Sequence, residues 1–99
     1  VAEFTFLGFL PHKKGRETLF KEIANSSRVM AFYESPHRIL KSLVSLEKFC
    51  GTKRDIIVAR ELTKIYEEFV RGTVEEVRAH FAKNPDRVRG EFVVIVAPK

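Results

Sequence analysis

A group of ionisable side chains in this 99-residue sequence follows an apolar run over residues 29–33. That run is rich in β-favouring residues and is typical of a buried strand. Glu34, His37 and Arg38 come directly after it, where the strand ends. An imidazole and a guanidinium so close together suit the binding of a phosphate or of another anionic ligand.

Ser35 and Pro36 predict that a helix begins inside this group. A serine hydroxyl can accept a hydrogen bond from the free amides of a first helical turn, and proline has no N–H to leave unpaired there. Ligands of α/β sheets bind where strands end and helices begin, so the group is a candidate ligand or RNA-phosphate site. The alternative is structural: Ser35 caps the helix, Glu34 faces its dipole and Arg38 pairs with a nearby acid.

A second polar group follows another apolar strand. Residues 55–59 predict this strand, and Arg60, Glu61 and Lys64 come after it. If the two strands lie close together in one sheet, the two groups meet in one pocket. The alternative is a solvated loop that contains its own ion pair.

A basic turn follows the first predicted strand. Lys13, Lys14 and Arg16 come shortly after Phe9 and Pro11. Cations beside an aromatic side chain are typical of channels that bind single-stranded RNA. A turn whose charges are simply solvated is the alternative.

The elements that must position these groups alternate along the chain. Strands are predicted over residues 3–10, 29–33, 55–59, 65–71 and 91–97, and the last, the most apolar, is predicted to be central. Helices are predicted between the first three strands and from a Thr73–Glu76 capping box to Asn84, and the second helix has an apolar stripe that includes Leu40 and Val44. The order β-α-β-α-β-β-α-β predicts an α/β fold: a mixed sheet of about five strands with three helices packed on its faces.

Composition limits the kind of protein. With 44% hydrophobic residues and nine phenylalanines, residues 1–99 suffice for a single domain. A formal charge of +5 favours polyanionic partners such as RNA. No run is long enough for a membrane helix, no secretory leader is recognisable, and a single cysteine, Cys50, cannot form an internal disulfide. We therefore expect a soluble protein of the reducing cytoplasm.

Several classes of site lack their motifs in this sequence. The three histidines, at positions 12, 37 and 80, have no metal-ligand spacing, so no metal site is predicted. The glycine-rich nucleotide loops and the G-x-S-x-G nucleophile motif are absent. The chain opens on Val1 rather than Met, which predicts processing or a piece of a longer protein.

Five blocks of sequence resemble one family in their order and spacing. They are Gly8–Pro11 with Arg16, Tyr33–Ile39, Ala59–Lys64 with Glu67, Arg71–Thr73, and Arg89–Glu91. In these blocks the chain resembles the bacterial small-subunit ribosomal RNA 2′-O-ribose methyltransferase I family, a member of the tetrapyrrole-methylase-like (class III) S-adenosylmethionine enzymes. The resemblance covers the whole chain, but only the C-terminal half of the family's protein.

The resemblance implies a two-domain enzyme whose N-terminal domain, with its glycine-rich cofactor motifs, is missing here. S-adenosylmethionine would lie in the cleft between the two domains, and the full enzyme would be a homodimer. By motif position, the cofactor side of this domain would be lined by Glu34, Ala59, Arg60, Gly90 and Glu91.

The implied reaction transfers a methyl group to the ribose 2′-hydroxyl of a cytidine in small-subunit ribosomal RNA. The sulfonium is already electrophilic, so the enzyme has mainly to align the hydroxyl and help remove its proton. A base from this domain would be Glu34, His37, Glu61 or Lys64, with none preferred. The residues that would contact RNA phosphates are Lys13, Lys14, Arg16, Arg38, Arg60 and Lys64.

We expect the isolated domain to be inactive, because half of the cofactor cleft is absent. Two other functions stay open at this point. One is an RNA-binding module that performs no chemistry, and the other is a structural dimerisation domain.

Overall fold

The alternating apolar and amphipathic segments form five strands and three helices. The computed structural model describes residues 4–61 and 66–99. In chain order the elements are β1 (Phe4–Phe9), α1 (Arg16–Asn25), β2 (Val29–Glu34), α2 (Ile39–Cys50), β3 (Asp55–Glu61), β4 (Tyr66–Thr73), α3 (Val74–Lys83), a 3-10 turn (Pro85–Arg87) and β5 (Glu91–Val96). The predicted order of elements is confirmed.

The strands form one mixed sheet in the order β1-β2-β5-β3-β4. β1 and β2 are parallel, whereas β5 is antiparallel to both β2 and β3, and β4 is antiparallel to β3. The last strand is central, as its apolar sequence predicts. Because β1, β2 and β3 run in the same direction, all three finish at one end of the sheet, which we call the upper end.

All three helices lie on one face of the sheet. Inward side chains of β2, β3 and β5 join those of the helices in a single buried cluster, in which the ring of Phe20 on α1 meets Phe32 and that of Phe81 on α3 meets Phe92. α1 contacts α2, and α2 contacts α3, so the helices form one layer. The five strands and three helices are as predicted, but the helices occupy one face instead of both.

The opposite side, which we call the open face, carries the remaining apolar residues of the strands. One row of directly paired residues on this face runs Phe9–Tyr33–Val93–Ala59–Phe69 across the five strands. The exposed fractions of the phenylalanines on this face are 59% for Phe4, 45% for Phe6, 60% for Phe9 and 59% for Phe69. From the apolar sequences of the strands we predicted that both faces of the sheet are covered. No described helix covers the open face.

Helix α2 begins later than the serine–proline signal predicts. Ser35 does not cap it with its hydroxyl; instead, the Ser35 carbonyl accepts hydrogen bonds from the amides of Arg38 (3.1 Å) and Ile39 (3.0 Å). Residues 36–38 therefore form a turn, and the helix starts at Ile39. Leu40 and Val44 are 41% and 52% exposed, because the helix turns only one side to the sheet.

Helix α3 begins with the predicted capping box. The Thr73 hydroxyl accepts from the Glu76 amide (3.2 Å), and the Thr73 amide donates to Oε1 of Glu76 (2.9 Å). Gly72 has φ +154°, and a Cβ there would lie 3.0 Å from Oε1 of Glu76. Glycine therefore leaves the room that this carboxylate needs to reach the start of the helix.

The capping box makes stability depend on pH. The hydrogen bonds from Thr73 lower the pKa of Glu76 from its ordinary 4.5. Because the folded pKa is below the unfolded one, the stabilisation is complete above about pH 4.5 and is lost as pH falls through the folded pKa. Glutamine at position 76 can cap but does not titrate. We expect the difference in unfolding free energy between wild type and Glu76→Gln, measured by chemical denaturation, to shrink from pH 7 to pH 3, and a constant difference would contradict this.

Candidate functional site

A row of mostly charged residues crosses the upper end of the sheet on the face that the helices cover. The residues pair directly in the order Glu34–Phe92–Arg60–Glu68, one from each of β2, β5, β3 and β4. We call this set the polar row. Directly paired residues point to the same side of a sheet, so Glu34 and Arg60, one from each predicted polar group, lie on one face with Phe92 between them. Glu34 and Arg60 lie two strands apart, which is about 10 Å between their backbones.

Glu34 is buried, and its carboxylate is fully engaged. Its exposed fraction is 4%. Oε2 accepts from Nη2 of Arg16 (3.2 Å) and from the Ser42 hydroxyl, and Oε1 accepts from the Ser35 amide (3.0 Å). A buried carboxylate needs such partners to remain ionised at acceptable cost.

Arg16 ties the basic turn to the same place. Besides Glu34, its guanidinium donates to the Ser42 hydroxyl (2.7 Å) and to the carbonyl of Pro11 (3.2 Å). The side chain is only 16% exposed. The turn between β1 and α1 is therefore anchored to β2 and α2, and the Arg16 charge is directed into the protein.

The other end of the polar row is organised around Glu68. Oε1 accepts from Nε of Arg60 (3.1 Å), and Oε2 accepts from Nη1 of Arg87 (3.3 Å). Nε2 of His80 lies 3.6 Å from the same Oε2 atom. Within the described residues Nη1 of Arg60 is buried and has no hydrogen-bond partner. An unpaired guanidinium nitrogen is a donor available to an anionic group.

The other predicted cofactor residues lie at the same end of the sheet but not on the same face. Ala59 is on the open face in the row with Phe69, and Glu61 pairs with Glu91. Gly90, with φ +84°, immediately precedes β5. The predicted cofactor residues therefore share the upper end of the sheet, but they are divided between its two faces.

The predicted RNA-contacting residues differ in accessibility. Lys13 and Lys14 are exposed in the turn before α1, as is His37 before α2, and Arg38 is half-buried at the N-cap of α2. Lys64 lies outside the described residues. Their proposed contacts with RNA stay predictions.

Sequence reasoning missed two residues of the site, Ser42 and Glu68. Ser42 lies one helical turn after Arg38, on the buried side of α2, where a hydroxyl needs a polar partner. Glu68 alternates with Val70 in β4, so strand period alone puts its side chain on the core side. A polar or charged residue at a core-facing position was the available signal in both cases.

Two other kinds of site find no support. In the described parts of the chain, no three histidine, cysteine or acidic side chains are grouped so as to hold a metal ion. Burial raises the pKa of the Cys50 thiol, and Arg54 offsets this only in part, which disfavours a thiolate nucleophile. Among the described helices, none combines the length and the apolar character needed to cross a bilayer.

The sequence was compared with known proteins. No protein-family model matches the chain. It is 42% identical over 95 residues to ribosomal RNA small subunit methyltransferase I of Synechocystis sp., and 40% identical over 98 residues to the protein of the same name from Thermotoga maritima. These alignments cover 95% and 99% of the chain. The chain is a homologue of these methyltransferases.

The homology concerns one part of those proteins. The chain spans 33% of the Synechocystis methyltransferase and 43% of the Thermotoga methyltransferase. A third relative of the same name, from Halalkalibacterium halodurans, is 44% identical over 94 residues and is matched over 32% of its length.

The fold has a solved counterpart. The crystal structure of the methyltransferase CobJ superimposes with a TM-score of 0.63, covers 97% of this chain, and is matched over 41% of its own length. At 21% sequence identity this likeness concerns the fold alone. The mixed five-stranded sheet with three helices therefore recurs within the CobJ fold.

Proposed function

We propose that this chain is the C-terminal domain of an S-adenosylmethionine-dependent enzyme that methylates the ribose 2′-oxygen of a cytidine in small-subunit ribosomal RNA. The observation that carries the proposal is 40–44% identity, over nearly all of the chain, to relatives named ribosomal RNA small subunit methyltransferase I. Such a substrate implies a cytoplasmic protein. The N-terminal domain would supply the rest of the cofactor cleft.

The upper end of the sheet is the candidate wall of that cleft. S-adenosylmethionine carries a carboxylate, and Nη1 of Arg60 is a buried guanidinium nitrogen without a described partner, so the donor set fits. Gly90 and Glu91 lie at the start of β5 at the same end, where Glu34 and Ala59 lie near the ends of β2 and β3. When bound, the cofactor supplies an electrophilic methyl group, and these residues bind and orient it.

The 2′-hydroxyl must be aligned and its proton removed. Glu34 already accepts hydrogen bonds on both carboxylate oxygens, which makes it a poorer base and a better anchor. Glu61, half-buried on the open face, and the exposed His37 are better placed to receive a proton. Lys64 stays a fourth candidate, outside the described residues.

The test is a methyl-transfer assay with the full-length protein. Small ribosomal subunits that lack the modification are incubated with methyl-labelled S-adenosylmethionine, and the RNA is then hydrolysed with alkali. A 2′-O-methyl group blocks cleavage at its own phosphodiester, so the label is expected in an alkali-resistant dinucleotide that contains cytidine. Label on a base, or no transfer by the full-length protein, would overturn the proposal. Residues 1–99 alone are expected to transfer no labelled methyl group to the RNA.

We further propose that the full protein is a homodimer and that the open face contributes to its interface. Four phenylalanines on this face are 45–60% exposed, and they expose together about 400 Å² of apolar surface. That is about half of what each partner buries in an interface of standard size, and it is within the range of the largest apolar patches on protein surfaces, which are often functional. Phe6 and Phe9 also pack on Tyr33, with ring centroids 4.8 and 5.2 Å apart, which makes the surface rigid.

A pair of substitutions tests the interface. We expect Phe6→Asp combined with Phe69→Asp to raise the dimer dissociation constant at least 100-fold, because each phenylalanine is worth about 2 kcal/mol or more at an interface centre. Sedimentation velocity over a concentration series measures this. The matched control is Leu40→Asp with Val44→Asp, which places the same charges on exposed apolar positions of α2. Equal dimer dissociation constants for the two variants would show that the open face does not contribute to the interface.

A further inference from the structure

A cleft of about 280 Å³ lies between α1 and α2, and Arg16, which pairs with Glu34 of the polar row, forms part of its wall. Its walls are formed by the turn before α1, the first half of α1 and the second half of α2. The residues that line it are Lys13, Arg16, Glu17, Phe20, Ser45, Lys48 and Phe49. This volume is about nine times that of a water molecule in the liquid, so the cleft has room for a hydrated polar group.

The balance of charge in the cleft is positive. Its single acidic residue, Glu17, already pairs with Lys21, the two charged groups being 3.5 Å apart. The guanidinium of Arg16 forms an ion pair with Glu34, which does not line the cleft. Within the described part of the chain neither Lys13 nor Lys48 forms an ion pair. Two lysine side chains from opposite walls are therefore available to an anion.

The floor of the cleft is rigid. The rings of Phe20 and Phe49 stack with an interplanar angle of 7° and a centroid distance of 6.3 Å. The Arg16 guanidinium lies 5.1 Å from the Phe20 ring centroid, and the Lys48 ammonium lies 5.3 Å from that of Phe49. Because Lys48 is already held over this floor, an anion that binds here has mainly to order the exposed Lys13 side chain.

The lysines continue along the exposed side of α2. Lys41, Ser45 and Lys48 recur at intervals of four and three residues, which puts them on one face of the helix. The acid of the same helix, Glu47, instead pairs with Arg78 on α3 at 3.0 Å. The cleft thus opens onto a face where lysines and a serine hydroxyl present hydrogen-bond donors.

We propose that this cleft binds a phosphate of the RNA backbone, held between Lys13 and Lys48 with the Ser45 hydroxyl as a further donor. This inference rests on the proposed function, because it takes RNA as the polyanion. Ammonium and hydroxyl donors suit phosphate oxygens, and such contacts position an RNA without reading its sequence. The cleft is thus a docking site beside the cofactor wall. The sequence predicted that Arg16 contacts a phosphate, but Arg16 already pairs with Glu34, so we assign this contact to Lys48 of α2.

The experiment measures RNA affinity against salt with the full-length protein. Fluorescence anisotropy with a labelled fragment of small-subunit ribosomal RNA is recorded from 50 to 300 mM KCl for wild type and Lys13→Ala/Lys48→Ala. Each lost phosphate contact reduces the slope of log affinity against log salt by about 0.7–0.9. Because the double variant loses this one phosphate contact, we expect a slope shallower by about 0.7–0.9 and, at 0.1 M salt, an affinity about 5–8-fold lower.

The matched control is Lys83→Ala/Lys99→Ala, which removes the same net charge from positions outside the cleft. It is expected to retain the slope and most of the affinity, and Lys48→Arg, which keeps the charge, is expected to behave like wild type. Equal losses in the two double variants, or no loss in either, would overturn the docking site. Failure of the proposed function looks different: the wild-type protein would then neither methylate small-subunit RNA nor prefer it to other RNA.

Discussion

Replacing Glu34 by alanine is expected to lower the free energy of unfolding by about 3 kcal/mol. The reason is the partner left behind: Arg16, whose side chain is 16% exposed, would lose the carboxylate 3.2 Å from its guanidinium. Ser42, fully buried, would lose its acceptor as well. Chemical denaturation of wild type and Glu34→Ala at neutral pH measures the difference.

Two further variants separate the loss of a pair from the creation of a lone charge. Arg16→Met combined with Glu34→Leu removes both charges and fills the space with apolar side chains, so we expect it to recover the part of the loss that comes from the lone Arg16 charge, while Ser42 still lacks its acceptor. Glu17→Ala removes a carboxylate from the exposed Glu17–Lys21 pair and is expected to cost a few tenths of a kcal/mol. If Glu34→Ala were no worse than Glu17→Ala, the anchoring role of Glu34 would be wrong.

Glu68→Ala is expected to cost about 2–3 kcal/mol, because it leaves the Arg60 guanidinium without its described acceptor. Arg60 is 6% exposed on its side chain, and the bond from its Nε to Glu68 is 3.1 Å long. Arg87, 49% exposed, can turn to water and adds little to this cost. The measurement is again the unfolding free energy by denaturant titration.

The control for Glu68 is Glu47→Ala. Glu47 pairs with Arg78 across α2 and α3 at 3.0 Å, but the two side chains are 24% and 41% exposed. Water screens such a pair, so we expect a loss below about 1 kcal/mol. Similar losses for Glu68→Ala and Glu47→Ala would show that Arg60 does not depend on Glu68.

Much of the fold could be predicted because its signals are local. The β5 sequence is apolar on both faces, which predicts the central position that it occupies. Thr73 and Glu76 specify the start of α3 through hydrogen bonds within four residues. Ser35 and Pro36 misled the prediction of α2, since the Ser35 carbonyl and not its hydroxyl receives the first amides.

The candidate site was predictable in its position and not in its pairing. The sequence alone determined that Glu34 and Arg60 follow strands of an α/β sheet, since that depends on apolar period and turn residues in a short segment. Only the tertiary structure decided that β5 lies between the two strands and that all helices share one face. It also decided that Arg16 and Ser42 donate hydrogen bonds to Glu34, and that Arg60 donates one to Glu68. Those facts depend on the strand order β1-β2-β5-β3-β4, which brings together residues up to 66 positions apart, such as Met30 and Val96. A local pattern specifies which face a side chain takes, whereas its partner is set by packing between distant segments.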